Sequence, residues 1–134
     1  MCKLVTIRTN FGTKVDVADI KKGCIENIVN QANQCEYIDY IILFGSSLEE
    51  TCQEVSDIDI AIISNVTRSR LFALASYDKF VTEIYLKQQE QDYDILQFNS
   101  MEQLKQKKDA VCRDIVDKGK IIYMRGGAQC MKNI

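Results

Sequence analysis

"ILFGSSLEETCQEVSDIDIAII", residues 42–63, joins a glycine–serine turn to an Asp-Ile-Asp triplet between two apolar runs. On a strand, side chains two apart share a face, so Asp57 and Asp59 project together while Ile58, Ile60 and Ile62 face the other way. The aspartate face continues as Ala61 and Ile63, so two acids open a strand whose remainder is apolar on both sides. Two like charges in a half-buried place repel and are costly to remove from water; they share a proton or hold a cation. Taken alone, Asp-x-Asp is weak evidence and reads more readily as a solvated strand entrance.

The turn ahead of it adds a second signal. Gly45, directly after an apolar strand, permits a tight turn and lets a ligand approach the backbone. Ser46-Ser-Leu-Glu49 has the pattern of a capping box, and free N–H groups at a helix start bind anions. An ordinary strand-to-helix turn would look the same. Glu49, Glu50 and Glu54 would repel phosphate unless they face solvent.

A third acid, Asp94 in "YDILQF", starts its own strand and is followed on the same face by Leu96 and Phe98. Asp92 shares that face and is its rival. If the two strands are neighbours, three carboxylates converge, and hard oxygen ligands of this kind suit magnesium or manganese.

Around these segments the pattern predicts strands at 3–8, 37–44, 57–63, 93–98 and 120–124, with a short hairpin strand near Lys14–Val15. Helices are predicted from a cap at Asp16 to Asn33, with Val17 and Ile20 in its apolar stripe, over 68–88, and from the cap Ser100 to Gly119. The twelve residues between Phe44 and Asp57 fit either a short helix with a crossover or a long hairpin loop. The fold class is α+β (α/β): a single mixed sheet with helices packed on it. "RGGAQCMKNI", 125–134, reads as a loose tail.

Length and composition bound the rest. The 134 residues, 46% hydrophobic and 27% charged with net charge −2, suit one domain over 1–134. The longest uncharged apolar run, Tyr40–Phe44, cannot cross a bilayer, and the first residues lack a secretory segment, so a cytoplasmic location without membrane contact is expected. Basic residues at 102–125 alternate with acids as on a solvated helix face, so long nucleic acid is not an expected partner. The six cysteines, at 2, 24, 35, 52, 112 and 130, form no C-x-x-C, and there is no histidine. That excludes Ser-His-Asp and Cys-His catalysis and disfavours zinc.

Together these residues resemble the signature of the nucleotidyltransferase superfamily that includes DNA polymerase beta: Phe44, Gly45, Ser46, ten residues, then Asp57, Ile58, Asp59, Ile60, with Asp94 as the separate strand acid. Ser56 and the ending "DKGKIIY" also match its small members, and the resemblance covers about 16–124. It implies a polymerase beta-like palm fold in a minimal nucleotidyltransferase domain. By the resemblance, Asp57, Asp59 and Asp94 are the catalytic and metal-binding residues, holding Mg2+ or Mn2+. Gly45, Ser46, Ser47 and Ser56 meet an NTP, with ATP expected.

The reaction so implied transfers a nucleoside monophosphate to a hydroxyl with release of pyrophosphate. The acceptor is a protein side chain, a small molecule or an RNA end. The alternative is an antitoxin-like module that partners a separate helical (HEPN-type) protein, with weak or no catalysis. The uncovered acceptor side also suggests a homodimer or hetero-complex. One departure stands out: many relatives carry Arg or Lys where Ser47 stands, and Arg68, Arg70 or Lys79 are candidates to replace that cation.

Overall fold

Alternation of apolar and polar side chains sets the first two elements. In the computed structural model, which describes residues 1–127, β1 (Leu4–Arg8) and β2 (Lys14–Ala18) pair antiparallel as a ribbon of their own. The β2 strand runs three residues past the expected hairpin strand, because Val15 and Val17 alternate with exposed Lys14 and Asp16. Asp16 therefore caps no helix; its carboxylate accepts a hydrogen bond from the Thr6 hydroxyl at 2.6 Å. Ile20, placed in the helical stripe by its spacing, is exposed.

A 3-10 turn at Asp19–Lys21 leads into α1 (Lys22–Ala32), whose buried stripe is Cys24, Ile25, Ile28, Val29 and Ala32. Full burial of Ile25 and Ile28 stabilises the helix by about 1.5–3 kcal/mol each.

The main sheet has the order β5-β4-β3-β6. Its strands are β3 (Ile38–Phe44), β4 (Ile58–Ser64), β5 (Tyr93–Phe98) and β6 (Lys120–Met124). β3 pairs antiparallel with both β4 and β6, whereas β4 and β5 are parallel, so the sheet is mixed. Antiparallel pairing across residues 45–57 selects the long hairpin loop over the crossover. The parallel pair needs a crossover instead, and α2 (Arg68–Phe72) and α3 (Ala75–Lys87) supply it.

The expected helix over 68–88 is thus two, broken at Ala73–Leu74, with the Thr67 hydroxyl accepting from Arg70 N–H at 3.3 Å. The last helical segment also divides, into α4 (Met101–Gln106) and α5 (Ala110–Lys118). Ser100 caps α4 by accepting from Gln103 N–H at 3.0 Å, and Asp109 caps α5 by accepting from Cys112 N–H at 2.8 Å.

Each sheet face has its own core. Ile41, Leu43, Ile58, Ile60 and Ile62 pack with α1 and with Tyr77, Phe80 and Ile84 of α3. Ile42, Phe44, Ala61, Ile63 and Phe98 pack with Leu104, Cys112 and Ile115 of α4 and α5. Cys2, Cys24, Cys35, Cys52 and Cys112 are free thiols. No helix among the described residues is long and apolar enough to cross a membrane. The expected tail lies, beyond Gly127, outside the described residues.

Candidate active site

Strand alternation puts Ile58 and Ile60 in the core shared with α1 and α3, which turns Asp59 toward the α4–α5 face with Ala61 and Ile63. In the parallel ladder Asp59 is the register partner of Asp94. Paired residues on neighbouring strands point to the same side, so the two carboxylates stand side by side. Asp94 continues into Leu96 and Phe98, which pack on that same face.

Asp57 lies just ahead of β4 and is exposed, as is Asp94, while Asp59 is half-buried. The Asp59 carboxyl is pushed up from 3.8 to about 6, first by its removal from water, then by the charges of Asp94 and Asp57. Asp94 and Asp57 therefore both act on Asp59 through space. Asp92 is not among those causes. Its backbone carbonyl instead accepts Ile58 N–H at 3.0 Å, and its exposed side chain precedes the strand.

The turn and the acid pair are one structure. Phe44 is the register partner of Asp59, and Gly45 follows with φ +76°, a left-handed conformation that favours glycine. A Cβ at Gly45 would collide with Asp59 Oδ2 and come within 3.2 Å of its carboxyl carbon. Gly45 thus lets the backbone reach the carboxylate.

The capping box expected at Ser46–Glu49 does not form. Gly45–Leu48 is a single 3-10 turn without a side-chain cap, and Ser46 accepts Glu49 N–H through its backbone carbonyl at 2.9 Å. Ser46 is partly exposed, but Ser47 is fully enclosed. The Ser47 hydroxyl is the one buried side-chain N/O atom among the described residues without a hydrogen-bond partner. Its side chain faces the interior, where a long cation would have no water. The Ser56 hydroxyl is engaged within its own turn, accepting Gln53 N–H at 3.1 Å.

Gly45 also walls a cleft of about 640 Å³, with Leu48 and Glu49 beside it. Lys14 and Asp16 come from β2, Asp114 and Lys118 from α5, and Lys120 from β6. Its three acids are engaged: Asp16 by the Thr6 hydroxyl, Glu49 by the Thr51 hydroxyl at 3.2 Å, and Asp114 by Lys118 at 3.8 Å.

The cations considered as substitutes for Ser47 lie elsewhere. Arg68 and Arg70 follow the far end of β4, with Arg68 over the Phe72 ring at 5.4 Å. Lys79 is exposed on α3, which covers the opposite face of the sheet.

Among the described residues no three or more His, Cys, Asp or Glu side chains are placed to hold a metal ion by themselves. The arrangement is an open row of carboxylates with excess negative charge. It can share a proton at Asp59 or attract a cation whose remaining ligands come from a substrate. Magnesium is commonly held in that way, by one or two carboxylates together with phosphate oxygens.

One further charged side chain stands close behind the acids and was not legible as a site residue. Lys21 is buried and donates to the backbone carbonyls of Glu54 and Ser56. A lysine ahead of a helix carries no pattern that marks it.

No curated protein matches the chain. The sequence model of the family described as polymerase beta, nucleotidyltransferase, matches residues 26–126. That span runs from α1 through β6 and contains the Gly45–Ser46 turn together with Asp57, Asp59 and Asp94. With most of its length matched, and with a mixed sheet that aligns the turn and the acids, the chain belongs to the polymerase beta nucleotidyltransferase family.

Proposed function

We propose that the chain transfers a nucleoside monophosphate from an NTP, ATP first, to a hydroxyl acceptor. The observation that carries this is the register of Asp59 against Asp94 beside the left-handed Gly45. It sets a carboxylate row next to a backbone turn that phosphate can approach. In the reaction the acceptor oxygen bonds to the α-phosphorus, the α–β phosphoanhydride bond breaks, and pyrophosphate leaves.

Each residue has a role suited to its place. Gly45 and Ser46 offer backbone N–H groups and a hydroxyl to the leaving phosphates. The lysines of the adjoining cleft, Lys14, Lys118 and Lys120, supply the cations absent at Ser47. Asp57 and Asp59 would hold magnesium or manganese with Asp94, and the raised Asp59 carboxyl fits a site that lacks positive charge. When bound, the ion neutralises phosphate charge and acidifies the acceptor hydroxyl. Asp94, exposed at the strand entrance, orients that hydroxyl and takes its proton.

Incubation with each NTP and Mg2+, read by pyrophosphate release and mass spectrometry of candidate acceptors, tests the proposal. No turnover with any nucleotide would sink it.

Exposure of Asp57 and Asp94 also supports a second proposal. A helical protein or a second copy of the chain would close the acceptor side, and the chain would then act mainly as a partner module. A purified monomer that modifies a free hydroxyl by itself would reject that alternative.

A further inference from the structure

Lys21 is 1% exposed, and nothing in the proposed reaction uses it. An ammonium removed from water is costly unless all its donors are paired. Here all three are used: Lys21 Nζ donates to Glu54 O at 2.9 Å, to Ser56 O at 2.7 Å and to Gln91 Oε1 at 2.6 Å. Gln91, itself 3% exposed, extends the network, its Nε2 donating to Ser56 O at 3.1 Å and to Asp92 O at 2.7 Å. No carboxylate oxygen is among these acceptors.

The acceptors belong to two segments with one thing in common. Glu54 and Ser56 run directly into Asp57, and Gln91 and Asp92 run directly into Asp94. The segments also meet through Ile58 N–H and Asp92 O at 3.0 Å. The Lys21 and Gln91 bonds add a second link behind the acids, on segments whose carboxylates both repel Asp59. Neutral acceptors impose direction on the ammonium, which an apolar side chain of similar volume would not do.

We propose that Lys21 is a positioning residue for the acid row, tying the segment before Asp57 to the segment before Asp94 so that both acids are held at the strand entrance beside Asp59. The tie stands on the hydrogen bonds; its consequence for ion binding rests on the nucleotidyl-transfer proposal. Lys21 also lies ahead of the residues matched by the family, 26–126, so the tie joins the N-terminal part of the chain to the site.

The test uses the full chain with Lys21→Met and, separately, Gln91→Met. Two properties are measured. The first is amide hydrogen exchange at Ile58, against Asn65, whose N–H donates to Tyr37 O at 3.1 Å beyond the far end of β4. The second is Mn2+ binding by calorimetry. Lys21→Met should lower protection at Ile58 about tenfold or more with Asn65 little changed, and weaken Mn2+ binding by about tenfold or more, as loss of outer support to metal ligands does. Gln91→Met should show the same local contrast, and the double variant should add little to the larger single effect.

Uniform loss of protection at both amides, unchanged protection at Ile58, or failure of both variants to fold would reduce Lys21 to a core residue and overturn the proposal. Mn2+ binding within about twofold of wild type would do the same. A wild type that binds no Mn2+ would count against nucleotidyl transfer instead, and the exchange contrast alone would then decide the tie.

Discussion

Replacing Asp59 with asparagine should stabilise the ion-free protein at neutral pH while removing nucleotidyl transfer. The Asp59 carboxyl stands at about 6 rather than 3.8, through removal from water and through the charges of Asp94 and Asp57. A carboxyl raised on folding keeps a proton that the unfolded chain has released. Folding is therefore favoured fully below the unfolded value, and stability is lost as pH rises from 3.8 through about 6. At pH 7.5 the whole penalty is present.

Taken at full strength, such a displacement corresponds to ~3 kcal/mol. Asp59 is only half-buried, and solvent screening reduces the figure to about 1 kcal/mol. Repulsion alone, between two charges ~5 Å apart in water, contributes about 0.8 kcal/mol, beside the larger effect of removal from water. Asparagine keeps the shape and drops the charge. Urea unfolding in chelator at pH 7.5 should show the variant more stable by about 1 kcal/mol, or ~3–4 °C in Tm for a chain of this size. At pH 4 the gap should close, and millimolar Mg2+ should raise the Tm of the wild type alone. A variant no more stable than wild type at pH 7.5, or a gap equal at both pH values, would refute the electrostatic account.

Three other substitutions probe the same arrangement. Gly45→Ala places a Cβ against Asp59 Oδ2 at φ +76°; it should cost about 2 kcal/mol or more in urea unfolding and abolish transfer. Asp94→Asn should reduce transfer by about a hundredfold or more while Asp92→Asn stays within about threefold, and the reverse order of rates would reassign the third acid. Asn10→Ala removes two bonds that fasten the hairpin turn to β6, from Met124 N–H at 3.0 Å and to Met124 O at 2.7 Å. It should cost about 1–2 kcal/mol by urea unfolding.

Much of this was legible in the sequence, for reasons that also explain what was not. The four sheet strands fall within a residue of their expected limits, because continuous apolar runs bounded by turns leave few alternatives. Two acids that each open an apolar strand were expected to converge only if the strands were neighbours, a condition that the parallel β4–β5 pair meets. "KVDVADI" misled at Asp16 because its valines satisfy a period of two as well as helical spacing. The helix breaks at Ala73–Leu74 and Lys107–Asp109 carry no Gly or Pro. The residues on either side of them, Leu71 and Tyr77 in one core and Leu104 and Cys112 in the other, are all buried. The Ser46 capping pattern failed because Phe44 feeds an antiparallel return to β4 and not a helix.

Lys21 shows where sequence legibility ends. Its partners are two backbone carbonyls and one amide oxygen, 33 to 70 residues away. Every residue carries a carbonyl, so no side-chain pattern at positions 54 or 56 announces an acceptor. The aspartates are recognisable because their chemistry belongs to the side chain and their spacing to the strand. The lysine behind them is defined only by three oxygens that the fold aims at one point. A site of this kind is therefore half written in residue types and half in chain geometry, and Lys21→Met perturbs the second half while leaving all three acids in place.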